Sequence, residues 1–213
     1  MGVNSFSFKD REDWLQHRIG IGASEIGSVL GVGYKTPIQL WREKLGFDTP
    51  PDLSSNQRVQ FGNDAEEPLR AMFRLMHPEY ELSFTPYTIL RQTDECTFLF
   101  DTPDGWLVEK ETGRRGLYES KTATLISSAD YNRWKYQVPQ SYFAQICQGM
   151  FCGDFDFAVV WALLLNRDGD AELRAYNFER SECEWKIDEI KEKGAAFWNC
   201  VQTATMPPMP LTI

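Results

Sequence analysis

Thr102-Pro103-Asp104-Gly105-Trp106-Leu107-Val108-Glu109 and, after a short polar interruption, Gly116-Leu117-Tyr118-Glu119-Ser120-Lys121-Thr122 form the stretch on which the fold turns. Pro103-Asp104-Gly105 and Thr112-Gly113 are turn signals, and the segments 106–110 and 116–122 carry the residues of strands. Together they predict a hairpin. Successive strand side chains point to opposite faces, so Glu119 and Lys121 emerge on the same one. Asp104, at the turn where the first strand begins, can approach Glu119 across the pair. Two carboxylates converging in a poorly solvated place repel strongly unless a cation lies between them. Their hard oxygen atoms suit Mg²⁺, or Mn²⁺ in its place, and such ions keep waters and accept phosphate oxygens as their remaining ligands. A lysine two residues on can hold or deprotonate an attacking water while it counters the charge. On spacing alone the same residues also suit a surface ion pair beside an ordinary turn.

Outward from the hairpin, the N-terminal part reads as helical. Ser7 to Asp10 resembles a capping box opening a helix over 7–18 that turns Trp14 and Leu15 inward. Gly20 and Gly22 break it, and a second helix over 24–30 is closed by Gly31-Val32-Gly33. Thr36-Pro37 starts a third, with Ile38, Leu40, Trp41 and Leu45 as its apolar stripe. A polar loop over 48–57 precedes a helix over 66–76, in which Leu69, Met72 and Phe73 recur at helical spacing and Pro78 is the stop. The stretches 80–90 and 97–101 add strands, so that the middle of the chain reads as an antiparallel meander. A helix over 140–151, a fully buried strand over 156–165, a neighbouring strand over 171–178 and a long amphipathic helix over 181–201 follow. The expected fold class is α/β (α+β): a short mixed β-sheet flanked by helices, in a single domain over 1–213. Helices occupy 7–77, the sheet and its helices 80–202, and a short flexible tail 203–213.

The chain has 213 residues, 42% hydrophobic and 25% charged, which is ordinary for a folded protein and excludes collagen-like, coiled-coil and disordered classes. The longest apolar run, Phe157 to Leu165, is too short to span a bilayer, and Met1-Gly2-Val3-Asn4-Ser5 lacks the features of an export signal. A soluble protein of the cytoplasm, with no membrane partner, is expected. Lys and Arg number 22 against 31 Asp and Glu, a formal charge of −9 that opposes nucleic acid except at a local basic groove. Arg114-Arg115 and Arg133-Trp134-Lys135 are candidates for backbone contacts there, with Trp106 and Trp134 bordering the site. The five cysteines are odd in number and scattered, which suits reduced thiols. His17 and His77 stand alone, so histidine-based hydrolysis has little support.

Asp104, the Glu119-x-Lys121 pair and Gly62-x-x-x-Glu66 in the preceding helix together resemble the PD-(D/E)xK nuclease core. Trp14-Leu-Gln-His-Arg18-Ile-Gly20-Ile-Gly22-Ala23-Ser24-Glu25 is similar to the opening of the bacteriophage lambda exonuclease family, which includes phage-type viral recombinases. The landmarks occur in that family's order: the Arg…Ala-Ser-Glu segment, Gly-x-x-x-Glu, Thr-Pro-Asp-Gly, Glu-Ser-Lys, and then Tyr142-Phe-Ala-Gln145. The resemblance spans about residues 10–165. There are two departures. The interval from Asp104 to Glu119 is longer, which a longer hairpin loop absorbs, and the family's Gln-x-Gln reads Gln145-Ile-Cys-Gln148.

The resemblance implies a restriction-endonuclease-like core and a Mg²⁺-dependent exonuclease that degrades the 5′-ended strand of double-stranded DNA. Two metals would sit in each active site. Asp104, Glu119 and the backbone carbonyl of Ser120 would hold the first, Glu66 the second or its water shell, and Lys121 would orient the hydrolytic water. Arg18 would grip a 5′ phosphate, a task that suits a bidentate guanidinium. Ser24, Lys35, Thr102 and Gln145 would complete the contacts to the phosphate and DNA. The family further implies a homotrimer on DNA ends, a single-strand annealing protein as partner, and a phage or prophage product at work in the host cytoplasm. Endonucleases and repair nucleases share the core, and a non-catalytic DNA-end-binding protein could keep it.

Overall fold

The computed structural model describes residues 2–208. The chain begins with β1 (Val3–Ser7), α1 (Arg11–His17), β2 (Ile21–Gly22), α2 (Ala23–Val29), α3 (Pro37–Lys44) and α4 (Gln57–Met76). Five strands come next: β3 (Tyr80–Ser83), β4 (Thr88–Gln92), β5 (Leu99–Phe100), β6 (Gly105–Glu109) and β7 (Arg115–Thr124). The chain ends through α5 (Ser128–Trp134), α6 (Gln140–Gly153), β8 (Phe157–Leu165), β9 (Ala171–Glu179) and α7 (Arg180–Gln202). The central sheet has the order β3-β6-β7-β8-β9, with β7 and β8 parallel and the other pairs antiparallel. It is mixed, as expected.

Alternation along the strands builds one core on each face of the sheet. Ala158, Val160, Ala162 and Leu164 of β8 face the layer of α6 and α7, where Met150, Phe151, Ile187 and Ile190 meet them. Phe157, Val159 and Trp161 face the other way, onto Leu69 and Phe73 of α4. Because both faces are covered, β8 reads as a continuous apolar run. The layer of α6 fits closely. A Cβ on its Gly149 would lie 2.6 Å from Leu117 Cδ2 and 2.9 Å from Asp101 Oδ2.

Three readings of the sequence are corrected. Residues 3–7 form a strand, and α1 is capped by Asp10, whose side chain accepts from Asp13 N–H. The meander holds for β3, β6 and β7, whereas β4 pairs with the N-terminal β1 and β5 pairs in parallel with β2. Both partners lie far away in sequence, where local pattern carries no signal. The helix expected over 66–76 begins at residue 57, capped by Asn56. Its first two turns are almost wholly exposed and so lack an apolar stripe, and Pro68 resembles a first-turn proline although it lies mid-helix. The helix α5, begun by a capping box of Ser127 and Asp130, was not foreseen. Of the tail expected to be flexible, residues 209–213 lie outside the described residues, and Pro207 is buried.

Candidate active site

The site forms where one ladder stops and its neighbour continues. β6 begins at Gly105, opposite Tyr118, so β7 runs on past it with only β8 alongside. The free edge of β7 over residues 119–124 opens into a cleft of about 1690 Å³. Arg18, Arg58, Glu66, Lys121, Arg133 and Tyr142 are among its lining residues.

Asp104 sits at the end of that ladder. Its Oδ2 accepts from Ser120 N–H at 2.9 Å and from Ser120 Oγ at 2.8 Å. Glu119 is 3% exposed, and its Oε1 accepts from Lys121 Nζ at 2.6 Å and from the Gln145 amide. Each carboxylate thus spends one oxygen on protein donors. Asp104 Oδ1 and Glu119 Oε2 have no hydrogen-bond partner among the described residues. Burial, then the neighbouring Asp104, pushes the Glu119 carboxyl above its ordinary range. Burial pulls the Lys121 amine down, but Glu119 and Asp104 outweigh it and hold the amine above its ordinary range, hence protonated. Its Nζ also lies 4.9 Å from the Tyr142 ring centroid.

Glu66 reaches the site from the opposite layer. One turn earlier on α4, Gly62 packs against β7, where a Cβ would touch Thr122 Oγ1 at 3.4 Å. Burial and the Asp104 charge raise the Glu66 carboxyl, against the pull of Arg70 and Lys121. The structure therefore brings together Asp104, Glu119, Ser120, Lys121, Glu66 and Gln145. The two carboxylates approach at a ladder end rather than as a pair within it.

The other expected residues spread around this centre. Arg18 follows α1, with its guanidinium carbon 4.3 Å from the Trp14 ring centroid and 5.6 Å from that of Phe100. It makes no ion pair among the described residues and faces the cleft, as does Ser24 on the first turn of α2. Lys35 is tied to Glu43 at 2.6 Å and lines a smaller adjoining cavity with Ser24, Lys121 and Gln145. Thr102 is half-buried between β5 and the Asp104 turn. Arg133 and Trp134 line the cleft. Arg114 instead pairs with Glu179 at the far end of β7, and Trp106 packs against the larger core. Both lie outside the cleft lining, which corrects their expected positions.

Three residues beside the site were missed as functional positions or left without a role. Gln148 on α6 is fully buried and donates through Nε2 to the carbonyls of Ile21 and Phe100, at 2.8 and 2.9 Å. It thereby joins β2 to β5, the strands next to Arg18, Ser24 and Thr102. Asp101 is 2% exposed, its Oδ2 has no partner, and burial raises its carboxyl. Arg70 is buried on α4 and touches both Glu66 and Asp104. The doubled glutamine of α6 was the only sequence signal for any of them.

Among the described residues, no three His, Cys, Asp or Glu side chains stand close enough to enclose a metal ion by themselves. The donor set nonetheless fits an ion that keeps part of its water. It offers two carboxylates, each with one oxygen to spare, beside the Ser120 backbone and a protonated lysine. All five cysteines are free thiols, and no helix among the described residues is long and apolar enough to cross a membrane.

A mixed sheet between helical layers, with its acidic centre at the free edge of β7, defines the restriction-endonuclease-like fold. Solved structures share it. The alkaline exonuclease LHK-Exo from Laribacter hongkongensis superposes with a TM-score of 0.68 at 17% identity, over 92% of this chain and 94% of that one. LHK-Exo in complex with dAMP gives 0.67 at 16% identity, over the same shares. A phage-related exonuclease from Haemophilus somnus 129PT gives 0.56 at 14% identity, over 90% and 98%. No curated protein sequence matches the chain. The chain belongs to the family of the YqaJ-like viral recombinase domain, whose profile matches residues 13–156. The likeness to lambda-type exonucleases expected from the sequence landmarks is thereby borne out.

Proposed function

We propose that this protein is a Mg²⁺-dependent exonuclease that hydrolyses the 5′-ended strand of double-stranded DNA from its ends and leaves 3′ single-stranded tails for recombination by strand annealing. One observation carries the reading: Asp104 and Glu119 meet beside a protonated Lys121, with Glu66 reaching in from α4. The family, and neighbours that include an exonuclease solved with a deoxynucleoside monophosphate, support it.

In this reading Asp104, Glu119 and the Ser120 carbonyl hold one divalent cation, and Glu66 holds a second or its waters. When bound, such ions lower the pKa of a coordinated water and stabilise the charge that develops on the phosphate. The chain's own residues do the rest. The Ser120 N–H and Oγ fix the Asp104 carboxylate. Gln145 and Lys121 fix Glu119, and the lysine's charge faces the water and the scissile phosphate. In the cation-free site the Glu119 and Asp104 charges hold the Lys121 amine above its ordinary range, and its part in this reading is to orient the water and balance charge. Arg18, over the Trp14 ring and in no ion pair among the described residues, offers its fork to a terminal 5′ phosphate. Ser24, Thr102 and Lys35 stand around it.

A fluorescent duplex with 5′-phosphorylated ends, incubated with Mg²⁺, should be shortened to mononucleotides, and chelation should abolish the reaction. Closed circular DNA should remain intact, and its cleavage would favour an endonuclease of the same core. A body of net charge −9 with Arg18, Arg58, Lys121 and Arg133 lining one cleft suits a ring-shaped homotrimer that keeps DNA inside, with a single-strand annealing protein as partner.

A further inference from the structure

The metal-site carboxylates come from three different elements, and something must set their spacing before any ion arrives. Asp104 and Glu119 are joined through the β6–β7 ladder and the Ser120 donors. Glu66 stands on a helix that packs against the sheet through apolar side chains, which hold a helix loosely along its axis. Arg74 Nε donates to the Leu82 carbonyl of β3 at 3.4 Å, and a second polar tie reaches the Asp104 turn itself. Arg70 of α4 is only 4% exposed, and its Nη1 donates to the backbone carbonyl of Asp104 at 3.1 Å. The same Nη1 lies 3.7 Å from Glu66 Oε2. Its Nε donates to Glu67 Oε2 at 2.9 Å, and the guanidinium stands over the Phe84 ring, 3.9 Å from its centroid.

We propose that Arg70 is a positioning residue, one that locks Glu66 of α4 to the Asp104 turn so that the three carboxylates are set for divalent cations. This inference rests on the nuclease reading above. Burying a guanidinium is costly unless its donors are used, and here they are divided between the turn and two helix acids. The planar fork matters. Nη1 serves the Asp104 carbonyl with Glu66 in ion-pair range, Nε serves Glu67, and the group stacks over Phe84. A lysine amine could not make the Nη1 contacts and the Nε bond to Glu67 at once, nor stack a plane on Phe84. Asp104 is thereby clamped at both ends, its carboxylate by Ser120 and its carbonyl by Arg70. Among the described residues, no other side chain of α4 hydrogen-bonds to the turn 101–104.

The test is binding of Mn²⁺ alone to the metal-free full chain, measured by calorimetry, together with kcat and KM on a 5′-phosphorylated duplex. Arg70→Lys should weaken Mn²⁺ binding about tenfold or more, which is the usual consequence of removing a residue that orients a ligand. It should lower kcat and leave the KM for duplex unchanged. A double variant with Glu66→Gln should lose less Mn²⁺ affinity than the sum of the two single losses, because part of the effect of Arg70 passes through Glu66. Arg74→Lys, one turn further along α4, should behave as the native protein. If Arg70→Lys does not fold, Arg70→Gln, which keeps a planar donor near the Asp104 carbonyl, is measured with the same expectation. Native-like Mn²⁺ binding by a folded Arg70 variant of a protein that does cleave DNA overturns the proposal and leaves the nuclease reading intact. Additive losses in the double variant overturn it as well. Failure of the native protein both to bind Mn²⁺ and to cleave overturns the nuclease reading, and the proposal with it.

Discussion

Glu119 holds an awkward position for an acid, since it is buried, faces a second carboxylate and is answered by a single lysine. Its folded-state pKa lies above the ordinary value, so the folded chain holds this proton more tightly than the unfolded chain does. The stability it contributes is complete below the ordinary carboxylate range and is lost as pH rises through the raised folded value. Asp101 acts in the same sense. In EDTA, the thermal midpoint should therefore fall as pH rises from 5 to 8. Mg²⁺ should raise the midpoint most at the alkaline end, and Glu119→Gln should flatten the slope. Scanning calorimetry at three pH values checks this. Asp104→Asn or Glu119→Gln should reduce kcat/KM by about a thousandfold, roughly 4 kcal/mol of transition-state stabilisation, with the fold kept. Cleavage at the native rate by either variant would remove the site assignment.

Among the elements, α6 joins core and chemistry most tightly. Gln145 reaches Glu119, Gln148 joins β2 to β5, and Gly149 lets the helix lie directly on Leu117 and Asp101. The three roles follow one another along one face. Gly149→Ala places a methyl where neither neighbour can easily yield, and should lower unfolding free energy by about 2 kcal/mol, read by urea titration. Gln148→Ala leaves two buried carbonyls without their donor and should lose about 2 kcal/mol. It should also weaken the preference for 5′-phosphorylated over 5′-hydroxyl ends, because the strands beside Arg18 and Thr102 lose their register. A Gln148→Ala protein with unchanged end preference would make that residue a matter of stability alone.

Across the whole molecule, a net charge of −9 contrasts with a cleft whose lining includes Arg18, Arg58 and Arg133. Duplex binding measured with Ca²⁺ in place of Mg²⁺ should weaken steeply with salt, because each phosphate contact releases counterions. Arg133→Ala should make that dependence shallower by about one contact. Light scattering of the free protein should give three times the 24.6 kDa chain mass if the ring forms without DNA.

The sequence by itself determined the strand–turn–strand unit with Asp104, Glu119 and Lys121, the apolar β8, the long α7 and the family. Each of these is carried by residues close together in the chain, where turn chemistry and periodicity act directly. It was silent on whatever depends on contact between distant segments. The pairings of β1 with β4 and of β2 with β5 are of this kind, as is the full length of α4, whose exposed first turns carry no hydrophobic pattern. Only the tertiary structure decided that β7 outruns β6, so that the acids gather at an open edge rather than along a closed ladder. It alone set Arg70 between Glu66 and Asp104, because a buried cation is specified by the acceptors that surround it, and those come from separate parts of the chain.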